Sequence, residues 1–234
     1  MNLTRFSFTG AGAAVRRSAF AAAAGLAVAG ALPALPALAQ TFVVAGVSAP
    51  TSVDPDVWTP GTIETMVNVY EGLVKSGFTE LPDGTRVINP TEMLPHLAES
   101  WTVNDEGTEY IFKLRDDVRS PFGNPLTAKD VVWSWDLAAK RKQTGGFLRR
   151  TAAVTSVEAI DDKHVRFTLS APRRMFLQIL ALYTPHIVDT TEALKHATAD
   201  DPDALNWLKQ NTAGFGAYHL RQIRPGEAAM FELN

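Results

Sequence analysis

The 234-residue chain contains no cysteine, so no disulfide bond and no thiolate metal site can form, and the fold must be held together by its core. None of its five histidines has a histidine partner three or four residues away, which argues against a metal site built from local spacing. We therefore expect no metal and no cofactor. The histidines, which we interpret as surface or hydrogen-bonded groups, are His96, His164, His186, His196 and His219.

Motifs of catalysis and nucleotide binding are also missing. Ser48 and Ser52 lack the flanking glycines of a nucleophile elbow. Gly214-Phe215-Gly216 has neither the third glycine of a dinucleotide fingerprint nor the lysine of a phosphate loop. We expect a protein that is not an enzyme. The alternative is an exported hydrolase, which is unsupported because the motifs it would need are missing.

The charge is weakly acidic once the first 39 residues are set apart. Those residues hold three of the 22 basic side chains and none of the 25 acidic ones, so 19 basic groups face 25 acidic groups in the remainder, a formal charge of −6. Such a balance argues against nucleic acid or an anionic membrane as the main partner.

Residues 1–39 have the composition of an export signal. A run of alanine, glycine, leucine, valine and phenylalanine follows the early arginines, and Ala37-Leu38-Ala39 fits the small-x-small pattern of signal-peptidase cleavage. A transmembrane anchor is the alternative, but the apolar run is short and is interrupted by prolines. We expect a periplasmic protein. Arg16-Arg17 with Phe20 is close to a twin-arginine signal, so the Sec and twin-arginine routes both remain open.

The clearest local signal lies in residues 110–135. Tyr110, Phe112 and Leu114 alternate with polar or less buried positions, which predicts a strand. The turn composition of residues 120–125 ends it. Thr127 followed three residues later by Asp130 predicts a capping-box-like helix start in which the threonine hydroxyl accepts from the Asp130 amide. We expect this helix to bury Trp135 and to stop at Gly145-Gly146.

Elsewhere, periodicity and turn residues predict a series of shorter elements. They are a strand at 41–47, a helix at 59–75, a turn at 81–85, a strand near 102–103, a hairpin turn at 104–107, a hairpin of 154–160 with 164–169, helices from 172 and from 201 to about 210, and strands at 218–223 and 228–233. The tryptophans, any of which could stack on a ligand although Trp135 is assigned to the core, are Trp58, Trp101, Trp133, Trp135 and Trp207.

Five sequence blocks resemble the extracytoplasmic solute-binding proteins of peptide- and nickel-type ABC importers, in the order and at about the spacing of that family. The blocks are Tyr70-Glu71-Gly72-Leu73-Val74, Pro95-His96-Leu97-Ala98-Glu99-Ser100-Trp101, Tyr110-Ile111-Phe112-Lys113-Leu114-Arg115, Pro125-Leu126-Thr127-Ala128-Lys129-Asp130-Val131 and Gly214-Phe215-Gly216-Ala217-Tyr218. The usual aspartate-glycine turn of the family is replaced by Pro121-Phe122-Gly123-Asn124.

The resemblance implies an α/β fold: a mixed-sheet lobe of a type II periplasmic binding protein with a small α/β subdomain. The expected divisions are 1–39 for the signal peptide, 40–60 for a first segment of lobe I, 61–170 for the subdomain and 171–234 for a second, truncated segment of lobe I. Because family members are considerably longer, we expect the second lobe to be absent and the reading frame to be truncated or split.

The same resemblance implies a ligand cleft between two lobes and places two segments of this chain against it. One would offer backbone groups to an extended peptide, and in the other Gly216 would allow a close approach. The alternatives are a structural strand end for the first segment and turn glycines that need positive φ for the second. The candidate ligand-binding residues are Val47, Ser48, Ala49, Pro50, Thr51, Gly214, Phe215 and Gly216.

The implied function is the substrate-binding component of an ABC importer, which takes up a peptide or similar small solute and delivers it to a permease in the inner membrane. We expect it to be a monomer. The ligand stays open, because the family binds peptides, nickel chelates, haem, oligosaccharides and opines on one scaffold. A truncated remnant that no longer binds is the competing interpretation.

Overall fold

The computed structural model describes residues 48–57, 66–141, 143–182 and 186–234. Several predicted features lie outside these residues: the export signal, the strand at 41–47, Val47, Trp58 and the first part of the helix predicted from residue 59. The predicted domain boundaries remain a prediction.

The described residues form eight strands and five α-helices in a mixed α/β arrangement. In chain order these are β1 (Val74–Glu80), β2 (Arg86–Pro95), β3 (Ala98–Val103), β4 (Glu109–Leu114), α1 (Ala128–Arg141), α2 (Thr144–Thr151), β5 (Val154–Ala159), β6 (His164–Leu169), α3 (Phe176–Leu180), α4 (Thr190–Ala193), a 3-10 turn (Leu194–His196), α5 (Leu205–Leu208), β7 (Tyr218–Arg224) and β8 (Ala228–Leu233). All strand pairs are antiparallel, and the strands group as β1-β2, β3-β4-β6-β5 and β7-β8.

The four-stranded sheet carries the main core, and aromatic rings fill it. Phe112 on β4 and Phe167 on β6 meet edge to face with centroids 5.4 Å apart, and Trp135 from α1 packs on Phe167 at 5.0 Å, also edge to face. Phe176 closes the cluster from α3. All four rings are at most 1% exposed. The predicted strand and the assignment of Trp135 to the core are therefore confirmed.

Helix α1 begins where the sequence predicts, but its cap works in the opposite direction. The Asp130 carboxylate Oδ2 accepts from both the Thr127 amide and the Thr127 hydroxyl, each at 2.8 Å. The predicted bond from the Asp130 amide to the threonine hydroxyl is wrong, since that amide donates to the Thr127 carbonyl at 3.1 Å. The other oxygen, Oδ1, accepts from the amide and hydroxyl of Thr190, so the buried carboxylate also ties α1 to the start of α4.

Helix α1 ends at Arg141, shortly before Gly145 and Gly146, but these two glycines do not act as the predicted stop signal. They lie in the first turn of α2, where a Cβ on Gly146 would stand 2.6 Å from the Ala138 carbonyl oxygen and a Cβ on Gly145 would stand 2.9 Å from the Ala138 Cβ. These glycines allow α2 to pack directly against α1, and this contact outweighs their low helix propensity.

The helix predicted to reach residue 75 ends much earlier. Turns follow Met66, and Val74 begins β1, where it pairs with Pro95 of β2. The predicted turn at residues 81–85 joins these two strands, with Gly84 at φ +83°. The hairpin itself was not predicted.

A second, smaller core lies beside the main one and holds the C-terminal hairpin. Val53, Val69, Tyr70 and Leu208 are buried in it, and the partly buried Leu220 of β7 packs against it. The predicted strands β5, β6, β7 and β8 are confirmed as two antiparallel hairpins. Helix α5 is shorter than predicted and starts after Ala204, at φ 52°, with the Asp201 carboxylate accepting from the Leu205 and Asn206 amides. In the described part of the chain, none of the helices has the length and apolarity needed to span a bilayer.

Candidate functional site

Gly214 and Gly216 are buried where the chain enters β7, against the backbone of Val69. The Gly216 amide donates to the Val69 carbonyl at 2.9 Å, and a Cβ on Gly214 would lie 2.0 Å from that same oxygen. Neither glycine is among the positive-φ residues, so the interpretation as turn glycines that need positive φ is wrong. Their close approach is to the protein's own chain.

Phe215, between them, is 4% exposed and belongs to the main core. It also lines an open groove of about 410 Å³. The other residues that line the groove are Glu71, Lys75, His96, Arg115, Asp117, Val118 and Arg119. Sequence reasoning did not find this groove, because its charged groups come from three separate segments.

The charges of the groove are largely arranged in pairs. Arg115 binds Asp117 through two hydrogen bonds of 2.9 and 2.6 Å, and these bonds hold the pKa of the Asp117 carboxyl below its usual value. His96 Nε2 lies 3.2 Å from a Glu71 carboxylate oxygen. The side-chain ammonium of the exposed Lys75 makes no hydrogen bond or ion pair with the described residues. A surface with both signs of charge and an available ammonium suits a zwitterionic or carboxylate-bearing solute.

The other predicted segment lies at a different end of the C-terminal hairpin. The Pro50 carbonyl accepts from the Gly226 amide at 3.1 Å, at the turn between β7 and β8. Gly216 lies at the base of the same hairpin, where its carbonyl accepts from the Asn234 side-chain amide at 3.1 Å. The seven residues of β7 separate the two places by about 20 Å at the usual rise per residue. Ser48 and Thr51 are exposed, Ala49 is half-buried and Pro50 is buried. The structure does not bring the two predicted segments together.

A buried charge cluster connects the segment after Thr51 to the end of α1. Arg141, the last residue of α1, makes two hydrogen bonds to the Asp54 carboxylate, at 2.6 and 2.8 Å, and Asp54 is only 2% exposed. Burial opposes the charged guanidinium, but the bonds and charge of Asp54 outweigh it and raise the pKa of Arg141. Sequence reasoning missed this pair because Asp54 and Arg141 are 87 residues apart and no sequence pattern relates them.

Asp56 and His186 extend the cluster into the interior. The Asp56 Oδ1 atom accepts from the Gly145 amide at 2.7 Å, and burial raises the pKa of the Asp56 carboxyl even though that bond and Arg141 act against the rise. The His186 Nδ1 atom is hydrogen-bonded to the Pro55 carbonyl oxygen. Burial lowers the pKa of His186 to about 4, so the imidazole is neutral over the physiological range.

Among the described residues, no group of three or more histidine, cysteine, aspartate or glutamate side chains is placed to hold a metal ion. The arrangement consists instead of one mixed-charge groove at the surface and one buried ionic cluster that joins the N-terminal segment to the helices.

The dipeptide-binding protein of Escherichia coli strain K12 is 29% identical to this chain over 205 residues, which cover 80% of this chain and 36% of that protein. The nickel-binding periplasmic protein of the same strain is 29% identical over 183 residues, 78% of this chain and 32% of that protein. The chain thus spans about a third of the length of these curated relatives.

Solved structures of periplasmic binding proteins share the fold. NikA from Brucella suis in complex with Fe(III)-EDTA is similar at a TM-score of 0.59 and 28% identity, over 80% of this chain and 34% of that one. The ABC transporter-associated periplasmic binding protein DppA from Helicobacter pylori, in complex with the peptide STSA, is similar at a TM-score of 0.62 and 25% identity, over 80% of this chain and 38% of that one. The fold class and the resemblance predicted from the sequence are confirmed.

The family model for bacterial extracellular solute-binding proteins, family 5, middle part, matches residues 92–234, which is more than half of the chain. The chain therefore belongs to the family 5 bacterial extracellular solute-binding proteins.

Proposed function

We propose that this chain is part of the substrate-binding component of an ABC importer, which binds a peptide or similar solute in a cleft between two lobes and delivers it to a permease in the inner membrane. The observation that carries the proposal is the family match over residues 92–234. Relatives described as dipeptide-binding and nickel-binding, and a neighbour solved with a bound peptide, support a small-solute ligand. A signal-like segment at residues 1–39 supports export to the periplasm.

The proposed ligand contacts on this chain fall in two places. Ser48 and Thr51 are exposed residues on either side of the Pro50 contact, and strand addition to an extended peptide would use their backbone groups. The groove beside Phe215 offers the ammonium of Lys75 to a carboxylate. Binding through such contacts involves no bond chemistry, and we propose that the protein is not an enzyme.

Isothermal titration with defined dipeptides, tripeptides and nickel chelates tests the proposal, using the product of the complete natural reading frame that contains these residues. We expect saturable binding of at least one of these solutes, together with a change in tryptophan fluorescence. A complete set of titrations without heat or fluorescence change would contradict it.

A charge variant locates the contact. Lys75→Ala is expected to weaken the binding of a carboxylate-bearing ligand by about tenfold or more, because a hydrogen bond to a charged group contributes about 1.5–3 kcal/mol. Lys129→Ala is the matched control, since Lys129 is an exposed lysine of α1 that does not line the groove. If the two variants bind the ligand with equal affinity, the groove is not part of the binding site. That result would not contradict the importer function.

A second candidate is a remnant that has kept the fold and lost ligand binding; the chain spans about a third of its relatives' length. Sequencing the gene beyond codon 234 separates the two. An in-frame continuation similar to the remainder of the relatives supports the receptor, whereas a stop codon at that point supports the remnant.

A further inference from the structure

A small internal cavity of about 20 Å³ lies between the Pro55 and Asp56 segment, α1 and the stretch from His186 to Val188. Asp56 and His186 line one part of its wall, and Ser134, Leu137 and Ala138 of α1 line another. The Ser134 hydroxyl already donates to the Asp130 carbonyl and accepts from the Val188 amide. The cavity is separate from the surface groove and from the candidate ligand-binding segments.

Two side-chain atoms in this wall are buried without a hydrogen-bond partner among the described residues: Asp56 Oδ2 and His186 Nε2. Asp56 is 7% exposed and His186 is 6% exposed. The remaining polar atoms of both residues are already bonded, Asp56 Oδ1 by the Gly145 amide and His186 Nδ1 by the Pro55 carbonyl. Buried polar atoms are nearly always hydrogen-bonded, so this pair calls for a bridging group.

The hydrogen bonds already in place determine what that group must be. A carbonyl oxygen can only accept, so His186 Nδ1 carries the proton and Nε2 of the neutral imidazole is an acceptor. An ionised Asp56 Oδ2 is likewise an acceptor. Two acceptors require a ligand that has two hydrogens to donate.

We propose that the cavity is a binding site for one water molecule, which donates one hydrogen to Asp56 Oδ2 and the other to His186 Nε2. The size agrees, because a cavity needs about 10–15 Å³ to hold a single water and most organic groups are far larger. The bridge joins the segment before Val57 to the stretch from His186 to Val188, two parts of the chain that are about 130 residues apart.

A metal cation does not fit the same place. Asp56 and His186 are the only carboxylate and imidazole among the residues that line the cavity, and the Arg141 Nε atom lies 3.9 Å from Asp56 Oδ2, so positive charge is already supplied there. Within the described ranges, no third acidic or histidine side chain completes a metal-binding group.

A crystal structure of the purified chain, at a resolution that shows ordered water, tests the site. We expect one peak within about 2.6–3.2 Å of both Asp56 Oδ2 and His186 Nε2. A well-ordered cavity without a peak, or a direct bond between the two side chains, would overturn the proposal.

Oxygen-17 magnetic relaxation dispersion counts long-lived internal waters in solution and gives an independent test. Val188→Ile adds a methyl group beside the cavity and is expected to remove one such water. Val165→Ile makes the same change at a buried position of β6 that does not line the cavity, and is expected to leave the count unchanged. An unchanged count in Val188→Ile, with its crystal structure showing the added methyl in the cavity, would refute the water site.

Discussion

The buried imidazole of His186 makes the stability of the chain depend on pH in a way that can be calculated. Its pKa is about 4 in the folded protein, against about 6.5 for an unperturbed histidine, and the main cause is burial. Between these two values the unfolded chain binds the proton and the folded chain does not. Stability is therefore fully present above about pH 6.5, falls as the pH drops toward 4, and levels off below that.

The size of the loss follows from the two pKa values. Relative to neutral pH, this one group costs about 2 kcal/mol at pH 5 and about 3 kcal/mol at pH 4. The pH dependence of the wild-type stability does not by itself isolate the contribution of His186, because the raised pKa of Asp56 contributes with the opposite sign. Protonation of this buried carboxyl favours the folded state as the pH falls. Asp54, Arg141 and Tyr70 are the other titratable groups near the ring.

The variant His186→Asn removes the titration, while its side-chain amide can still donate to the Pro55 carbonyl in place of Nδ1. Urea unfolding, followed by tryptophan fluorescence from about pH 7.5 to about pH 4, gives the free energy of unfolding at each pH. We expect the variant to be less stable than the wild type at neutral pH, because it loses the ring contact with Tyr70. That deficit should shrink by about 3 kcal/mol on reaching pH 4.

Ile187→Val is the matched control, since it weakens the neighbouring buried position by about 1 kcal/mol without touching a titratable group. Its deficit should be the same at every pH. If the deficit of His186→Asn is equally constant, the imidazole is not held neutral by burial, and the reasoning fails.

Three further substitutions test the scaffold, each by the change in free energy of unfolding. Arg141→Ala leaves the Asp54 carboxylate buried without its partner and should cost about 3–5 kcal/mol. Its control, Lys113→Ala, breaks only the exposed pair with a glutamate on β3 and should cost under about 1 kcal/mol. Equal losses for the two variants would contradict the burial argument. Gly214→Ala forces a methyl group onto the Val69 carbonyl and should cost about 1–3 kcal/mol or more. Its control, Gly84→Asn, lies in an open positive-φ turn and should cost well under that. A Gly214→Ala variant as stable as the wild type would refute the close packing. Asp130→Ala removes the acceptor of four hydrogen bonds and should cost more than Asp130→Asn, which keeps one oxygen; identical losses would show that these bonds contribute little.

Local patterns were enough to predict β4 and the start of α1. The alternation that buries Phe112 and Leu114 is a property of six consecutive residues, and the turn and cap that follow are encoded next to it. The β1-β2 hairpin was missed for the converse reason. Val67, Tyr70 and Val74 recur at helical spacing, yet Val74 is a strand residue because it pairs with Pro95. A pairing partner about 20 residues away overrides a local period, and no window of the sequence shows it.

The glycine pair of α2 and the candidate site were limited by the same lack of tertiary information. Gly145-Gly146 read as a stop signal, but the Asp56 carboxylate and the backbone of α1 occupy the space that side chains would need. The groove beside Phe215 and the pair of Asp54 with Arg141 bring together residues from distant segments. The groove and the ion pair can therefore be recognised only once the fold is known.

The sequence blocks that identify the family contact one another. The amide of Gly216 donates to Val69 at 2.9 Å, next to the block that begins at Tyr70, and the Tyr70 hydroxyl accepts from the Ala213 amide at 3.3 Å. The block that contains Leu97 joins them, because the Leu97 amide donates to the Gly72 carbonyl at 3.2 Å.

The contacts between these blocks form a packing junction, but Glu71, His96, Arg115 and Phe215 of the blocks also line the groove. Substitutions at the buried positions of the blocks should first affect folding, so the proposed ligand contacts are best tested at exposed positions such as Lys75, Ser48 and Thr51.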